Sequence, residues 1–110
     1  MKKAIKEAIA NGGATLDKNG KAVAFASGYQ VTTKDGLQTK AENINKIVAK
    51  VQQLLADCKH NEFVGLWVDN GICYIDKSEK IKNKAKALRI AKARKQKAIF
   101  DWANQTSIYC

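Results

Sequence analysis

The amino-acid sequence predicts an α+β fold, an antiparallel sheet built from two Asn-Gly hairpins plus a C-terminal strand, with helices packed on it. Three observations point there. Asn19-Gly20 and Asn70-Gly71 each sit between stretches of alternating apolar residues, the pattern of a tight hairpin. Between them Ile44, Ile47, Val48, Val51, Leu54, Leu55 and Cys58 recur at helical spacing. Proline is absent from the 110 residues, so no composition-marked linker divides the chain, and its length suits a single domain, 1–110, with a modest core.

In chain order the expected elements run αββαββαβ. Lys2–Ala10 reads as a short helix with Ile5, Ala8 and Ile9 on one side, stopped by Asn11-Gly12-Gly13. ATLDKNGKAVAF follows as a hairpin. A two-residue turn there sets Leu16 opposite Val23 and Ala14 opposite Phe25. The strand is expected to continue through GYQVTT, with a bulge at Ser27-Gly28. Thr39 and Glu42 form a T-x-x-E capping box for the second helix. In FVGLWVDNGICYID a turn at Asn70-Gly71 pairs Val68 with Cys73, Trp67 with Tyr74 and Leu66 with Ile75. Val64, Leu66, Val68, Cys73 and Ile75 then share a core face. Phe63, Trp67, Asp69, Tyr74 and Asp76 share the other, expected to form a smaller core under the first or third helix. A basic helix over 82–96, the strand AIFDW and a short polar tail complete the chain.

The charge is concentrated. Formal net charge is +10. Residues 1–76 hold ten Lys/Arg against eight acids, and residues 77–97 hold ten against Glu79 alone. On a helical wheel Ala87, Leu88 and Ala91 form a narrow apolar stripe beside Ile90, with Lys82, Lys86 and Arg89 on the far side, flanked by Lys92 and Lys97. Like charges one turn apart cost a few tenths of a kcal/mol per pair, and no acid on the helix offsets them. A partner supplying negative charge removes that cost, whereas solvated helices usually mix both signs. Phosphates are therefore the expected partner, read by Lys80, Lys82, Lys86, Arg89, Lys92 and Lys97, with DNA or RNA as their source. An acidic host-protein surface is the alternative partner. Lys77 is expected to extend the same surface. Trp67 and Tyr74 are possible stacking platforms for bases, although Asp69 and Asp76 on their face repel phosphate.

Membrane binding is not expected. The stripe is mostly alanine, where an interfacial helix carries Trp, Phe or Leu, and no apolar run reaches the roughly 18 residues of a span. Lys6 and Glu7 break the opening segment before signal-peptide length. Three cysteines without a CxxC fit a reducing cytoplasm.

Catalytic and metal chemistry find little support. Cys58 and His60 are not at structural-zinc spacing, and Cys58 and Cys73 fall on core faces. His60 has no nucleophile or base arranged around it. Asp57-Cys58-Lys59 matches the D-x-K of one nuclease core but lies at a helix end. Asp69, Asp76 and Asp101 lie in or beside strands, where acids are common. Gly12-Gly13 and Gly28 fit no phosphate-cradling loop. No enzyme activity, metal or cofactor is expected.

GLWVDNGICYIDKS, the alanine-rich helix after it, and QKAIFDW, together with NGGATL and SGYQV near the start, resemble small accessory proteins of phages and conjugative elements of Gram-positive bacteria. That resemblance implies a setting of regulators, DNA-processing accessories and inhibitors of host defence, anti-CRISPR proteins among them, and carries over no site residue. The functional expectation is a non-enzymatic nucleic-acid-binding accessory or regulatory protein. The alternative is a protein-binding inhibitor or adaptor, such as an anti-CRISPR protein acting on a host nucleic-acid-handling enzyme.

Overall fold

The helix and strand signals of the sequence assemble, in a computed structural model, around one antiparallel sheet. The structure describes the backbone of all 110 residues and every side chain except those of Lys34 and Asp35. The elements are α1 (Lys2–Ala10), β1 (Gly13–Leu16), β2 (Ala22–Val23), β3 (Tyr29–Lys40), α2 (Ile44–Ala56), β4 (Glu62–Asp69), β5 (Ile72–Ile81), α3 (Lys84–Ala93), β6 (Ala98–Asp101) and β7 (Thr106–Tyr109). The strands lie in the order β2-β1-β4-β5-β3-β6-β7.

The order αββαββαβ is corrected to αβββαββαββ. Residues 29–40 do not continue the first hairpin. They cross to the middle of the sheet and pair with β5 along one side and β6 along the other. The tail is not a loose end either, because Thr106–Tyr109 pairs with β6 as an edge strand.

The two Asn-Gly turns differ. Asn70 and Gly71 both take positive φ, 51° and 76°, which a two-residue type I′ turn requires. The register is the expected one, with Val68 opposite Cys73, Trp67 opposite Tyr74 and Leu66 opposite Ile75. At the first turn Thr15 stands opposite Val23 and Leu16 opposite Ala22, one residue away from the expected pairing. Asp17 is the cause. Its Oδ1 accepts from the backbone N–H of Asn19 at 2.9 Å and of Lys21 at 3.0 Å, which holds a longer loop closed. Gly20 turns within that loop at φ 82°. Ala14 is paired with Leu66 of β4 instead of Phe25.

Thr39 does not cap α2. Its position in β3, opposite Cys73, draws its side chain into the buried face, where its Oγ1 accepts from Asn43 Nδ2 at 3.0 Å. Asn43 precedes the first helical residue. The long-range ladder takes Thr39 before a local cap can form.

All three helices cover one face of the sheet. α1 and α2 close a core of Ile5, Leu16, Ile47, Val51, Leu54, Val64, Leu66, Cys73 and Ile75. Each fully buried side chain of this size contributes about 1.5–3 kcal/mol. α3 lays Ala87 and Ala91 against Val31, Ile81 and Ile99. In the uninterrupted ladder of β5, alternate residues share a face. Cys73 and Ile75 under α2 therefore lie on the same side as Ile81 under α3. The face carrying Trp67 and Tyr74 has no helix over it, so the expected second core beneath α1 or α3 does not exist. Six aromatic side chains gather on this open face, while Tyr29 packs against the cluster under α3 and Tyr109 borders that helix. Trp67 stacks on Tyr74 at 5.3 Å. Phe25, from the segment between β2 and β3, meets Phe63 and Trp102 edge-on, and Trp102 meets Phe100 likewise. No helix among the described residues is long and apolar enough to cross a membrane.

Candidate nucleic-acid interface

α3 is positioned from both ends and from below. Asn83 caps its N-terminus, the side-chain Oδ1 accepting from the Lys86 N–H at 2.9 Å. Such a cap contributes about 1 kcal/mol. The helix ends at Ala93, shorter than the expected 82–96, as Lys95 turns to φ 59°. Ala87 and Ala91 are fully buried, with Leu88 and Ile90 half-buried beside them. Two methyl side chains bring the helix close to the sheet, so the face opposite the stripe projects into solvent.

That outer face carries Lys86, Arg89 and Lys92, all exposed, whereas Lys84, three residues before Ala87 and seven before Ala91, lies on the stripe's side of the first turn, where its charge acts on Asp101. Lys82 is exposed just ahead of the helix and Lys97 just beyond it. Arg89 and Lys92 border an open notch of about 460 Å³ between α3 and the last strand, closed by Leu88, Tyr109 and Cys110. Two cations thus flank a recess and not a flat surface. Glu79, the lone acid of the basic segment, is held by Arg94 at 3.0 Å, and Arg94 also donates to the Thr32 carbonyl. Among the described residues, no ion pair engages Lys82, Lys84, Lys86, Arg89, Lys92 or Lys97.

Two of the expected cations lie elsewhere. Lys77 is buried on the helix-covered face, its Nζ 2.8 Å from Asp57 and 3.6 Å from Glu62. The Asp57 hydrogen bond is the main cause of its raised pKa, which burial partly opposes and Glu62 reinforces. It is a structural cation and does not extend the basic surface. Lys80 points to the open face, its ammonium 4.0 Å above the Phe25 ring. Trp67 and Tyr74 are also on the open face, so the sheet separates them and Lys80 from the outer face of α3. Lys84 is a cation that sequence reasoning passed over, and it stands on the sheet side of the helix, where its charge acts on Asp101. Its place inside the first helical turn follows once the helix is seen to start after Asn83.

The remaining chemistry-bearing groups do not converge. Burial pushes the Cys73 thiol up, and burial followed by Glu62 does the same to Cys58 against the opposing pull of Lys77. Both stay protonated at neutral pH, the less nucleophilic form. His60 is exposed. Asp101 closes its own turn, accepting from the Ala103 N–H and, at 2.8 Å, from Asn104 Nδ2. The Asn104 bond leads the effects that hold its carboxyl below the usual range. No group of three or more His, Cys, Asp or Glu able to hold a metal occurs among the described residues. What α3 offers is charge without an acid partner on a rigid support. Comparison with known proteins brings no relative to bear on this surface: no family model matches the chain, and neither does any curated protein or solved structure.

Proposed function

We propose that this chain is a non-enzymatic accessory or regulatory protein of a phage or mobile element that binds nucleic acid by setting the outer face of α3 on phosphates. The observation that carries the reading is the outer-face set Lys86, Arg89 and Lys92, exposed and in no ion pair among the described residues. Lys82 and Lys97 lengthen the set at either end. A partner bearing closely spaced negative charge relieves the repulsion along this helix, and phosphates are the densest such source.

The test is the affinity of the full chain for a generic duplex and a generic single strand as salt is varied. Four to six neutralised phosphates correspond to a log–log slope of about −3 to −5, depending on strandedness. K86E/R89E/K92E removes the binding while its melting temperature stays near the parent's, because exposed substitutions usually change stability by less than about 0.5 kcal/mol. Absence of any binding tighter than about 100 μM near physiological salt, weaker than ordinary non-specific sites, sinks the reading. Docking of the same helix on an acidic protein surface then takes its place.

A further inference from the structure

The two edges of the sheet are guarded differently. β2 ends one side as a strand of two residues, Ala22–Val23, with Lys18 and Lys21 just before it. A very short edge flanked by lysines resists pairing with another chain. β7 ends the other side and has neither device. From Trp102 to Cys110 there is no charged residue, in a molecule of net charge +10. Thr106, Ile108 and Tyr109 are of the β-branched and aromatic types that favour strands, and Tyr109 is 77% exposed.

The ladder fixes which backbone groups β7 presents outward. The Cys110 N–H donates to the Lys97 carbonyl at 2.9 Å, one residue beyond the pair Ala98 and Tyr109. Along an antiparallel ladder, hydrogen-bonded pairs alternate with pairs that are not. Ile108 therefore turns its N–H and C=O toward β6, and Ser107 and Tyr109 turn theirs away from it. A second β7 running antiparallel satisfies all four outward groups when Ser107 stands opposite Tyr109 of the other copy. That register puts a two-fold axis at Ile108, opposite Ile108 of the other copy. The two Cα atoms of such a pair stand about 4.5 Å apart. Ile108 packs against the cluster under α3, so the axis joins apolar side chains on the helix-covered side. No like charge on either strand opposes the approach.

We propose that two copies of this chain pair through β7, antiparallel about Ile108, which sets two α3 helices side by side on one continuous sheet. α3 lies over β3 and β6. At a strand spacing of about 4.8 Å, each helix axis stands about 10 Å from the two-fold and the two axes about 20 Å apart. The notch that Arg89 and Lys92 border lies between α3 and β7, so the two notches adjoin across the axis. The cleft between the helices takes a row of phosphates, with Arg89 and Lys92 supplied by both copies. This cleft rests on the α3 reading, whereas the strand pairing does not. Two four-residue strands bury little beside the roughly 800 Å² per partner of a stable complex. The pair is weak alone, and a nucleic acid held by both helices tightens it.

Sedimentation equilibrium of the full chain without nucleic acid tests the pairing. The mass rises from that of one chain toward that of two as concentration approaches about 1 mM, the range of a weak association. Ser107→Pro stays at one chain and melts near the parent temperature, because the N–H it removes points away from β6. Oxidation links I108C/C110S into a dimer and leaves S107C/C110S unlinked, since only the first brings two copies of one residue within disulfide reach. Two parent chains bind one fifteen-nucleotide oligothymidylate, and Ser107→Pro binds it about tenfold or more weakly for want of the second helix. K86E/R89E/K92E loses the oligothymidylate but keeps the pairing, so failure of the α3 reading and failure of this inference are separately visible. A one-chain mass at every concentration overturns the inference and leaves the edge to a strand of another protein. Equal cross-linking of the two cysteine variants, or a Ser107→Pro chain that dimerises like the parent, overturns it as well. Undiminished oligothymidylate binding by Ser107→Pro overturns the shared cleft.

Discussion

The two faces of the sheet use different residues for different ends. The covered face is aliphatic, with Ile47, Val51, Val64, Cys73 and Ile75 packed under α1 and α2, and Ala87 and Ala91 meeting Val31, Ile81 and Ile99 under α3. The open face is aromatic, with Trp67 on Tyr74 at one end and Phe25, Phe63, Phe100 and Trp102 clustered at the other. Branched aliphatic side chains interdigitate to crystal-like density beneath helices. Large rings with a polar edge suit a surface that is dry in a complex and wet without one. Stability therefore resides mainly on one face, and the other can be altered at modest cost to folding.

The largest expected effect is on the covered face. Val51 is fully buried in α2, and Val51→Asp places a carboxylate there with no partner. A cost above about 4 kcal/mol follows, enough to abolish the cooperative melt of a domain this small. Retention of a melt near the parent temperature would mean that this face is not the core.

Lys77 is next. It is the buried cation of the same face, held by Asp57 and Glu62. Asp57 is largely exposed whereas Glu62 is not, so Lys77→Met costs about 1.5–3 kcal/mol, the range for a charged hydrogen bond. Its pH dependence has a definite sign. Because the folded pKa is raised, chiefly by the Asp57 hydrogen bond, the contribution is complete below the ordinary lysine pKa. It is lost as pH rises through the raised folded value. Denaturant melts at increasing alkaline pH should show a steeper loss for the parent than for Lys77→Met. Parallel curves would refute the role of the pair.

The smallest effect belongs to the open face. Trp67→Ala removes one of the largest side chains in the protein, yet it should cost about 0.5–1.5 kcal/mol, the worth of its stack on Tyr74. A loss of the size seen for a buried Trp, about 3–5 kcal/mol, would show that Trp67 belongs to a core after all. Equality of the Trp67 and Val51 variants would erase the distinction between the faces.

Much of this was legible in the residues. The apolar face of α2 from Ile44 to Leu55, the Ala87/Ala91 stripe of α3 and the pairing of β4 with β5 are local patterns, and each appears as expected, although Cys58 joins the core from beyond the end of α2. Of the candidate site, the exposure of Lys82, Lys86, Arg89, Lys92 and Lys97 was readable from the wheel and the flanking charge. Lys77 was not. Alternation along β5 assigns it to the covered face, but only the loop after α2 supplies the acid that lets a lysine stay there. The first hairpin was misjudged through Asp17, which sits beside the turn in the sequence and captures two backbone N–H groups that the Asn-Gly pair alone does not explain.

The amino-acid sequence by itself determined that three helices form, that the chain turns at Asn70-Gly71, and which stripe of each helix is apolar. Helical periodicity and positive-φ preferences act within a few residues of the chain. Tertiary structure decided the rest. β3 left its neighbour β2 for β5 and β6, the tail became β7, and all three helices settled on one side of the sheet. Strand partners come from distant parts of the chain, and their choice depends on which pairing buries the most apolar surface at once. That same choice left Trp67 and Tyr74 without a helix above them, on the opposite face of the sheet from the cations of α3.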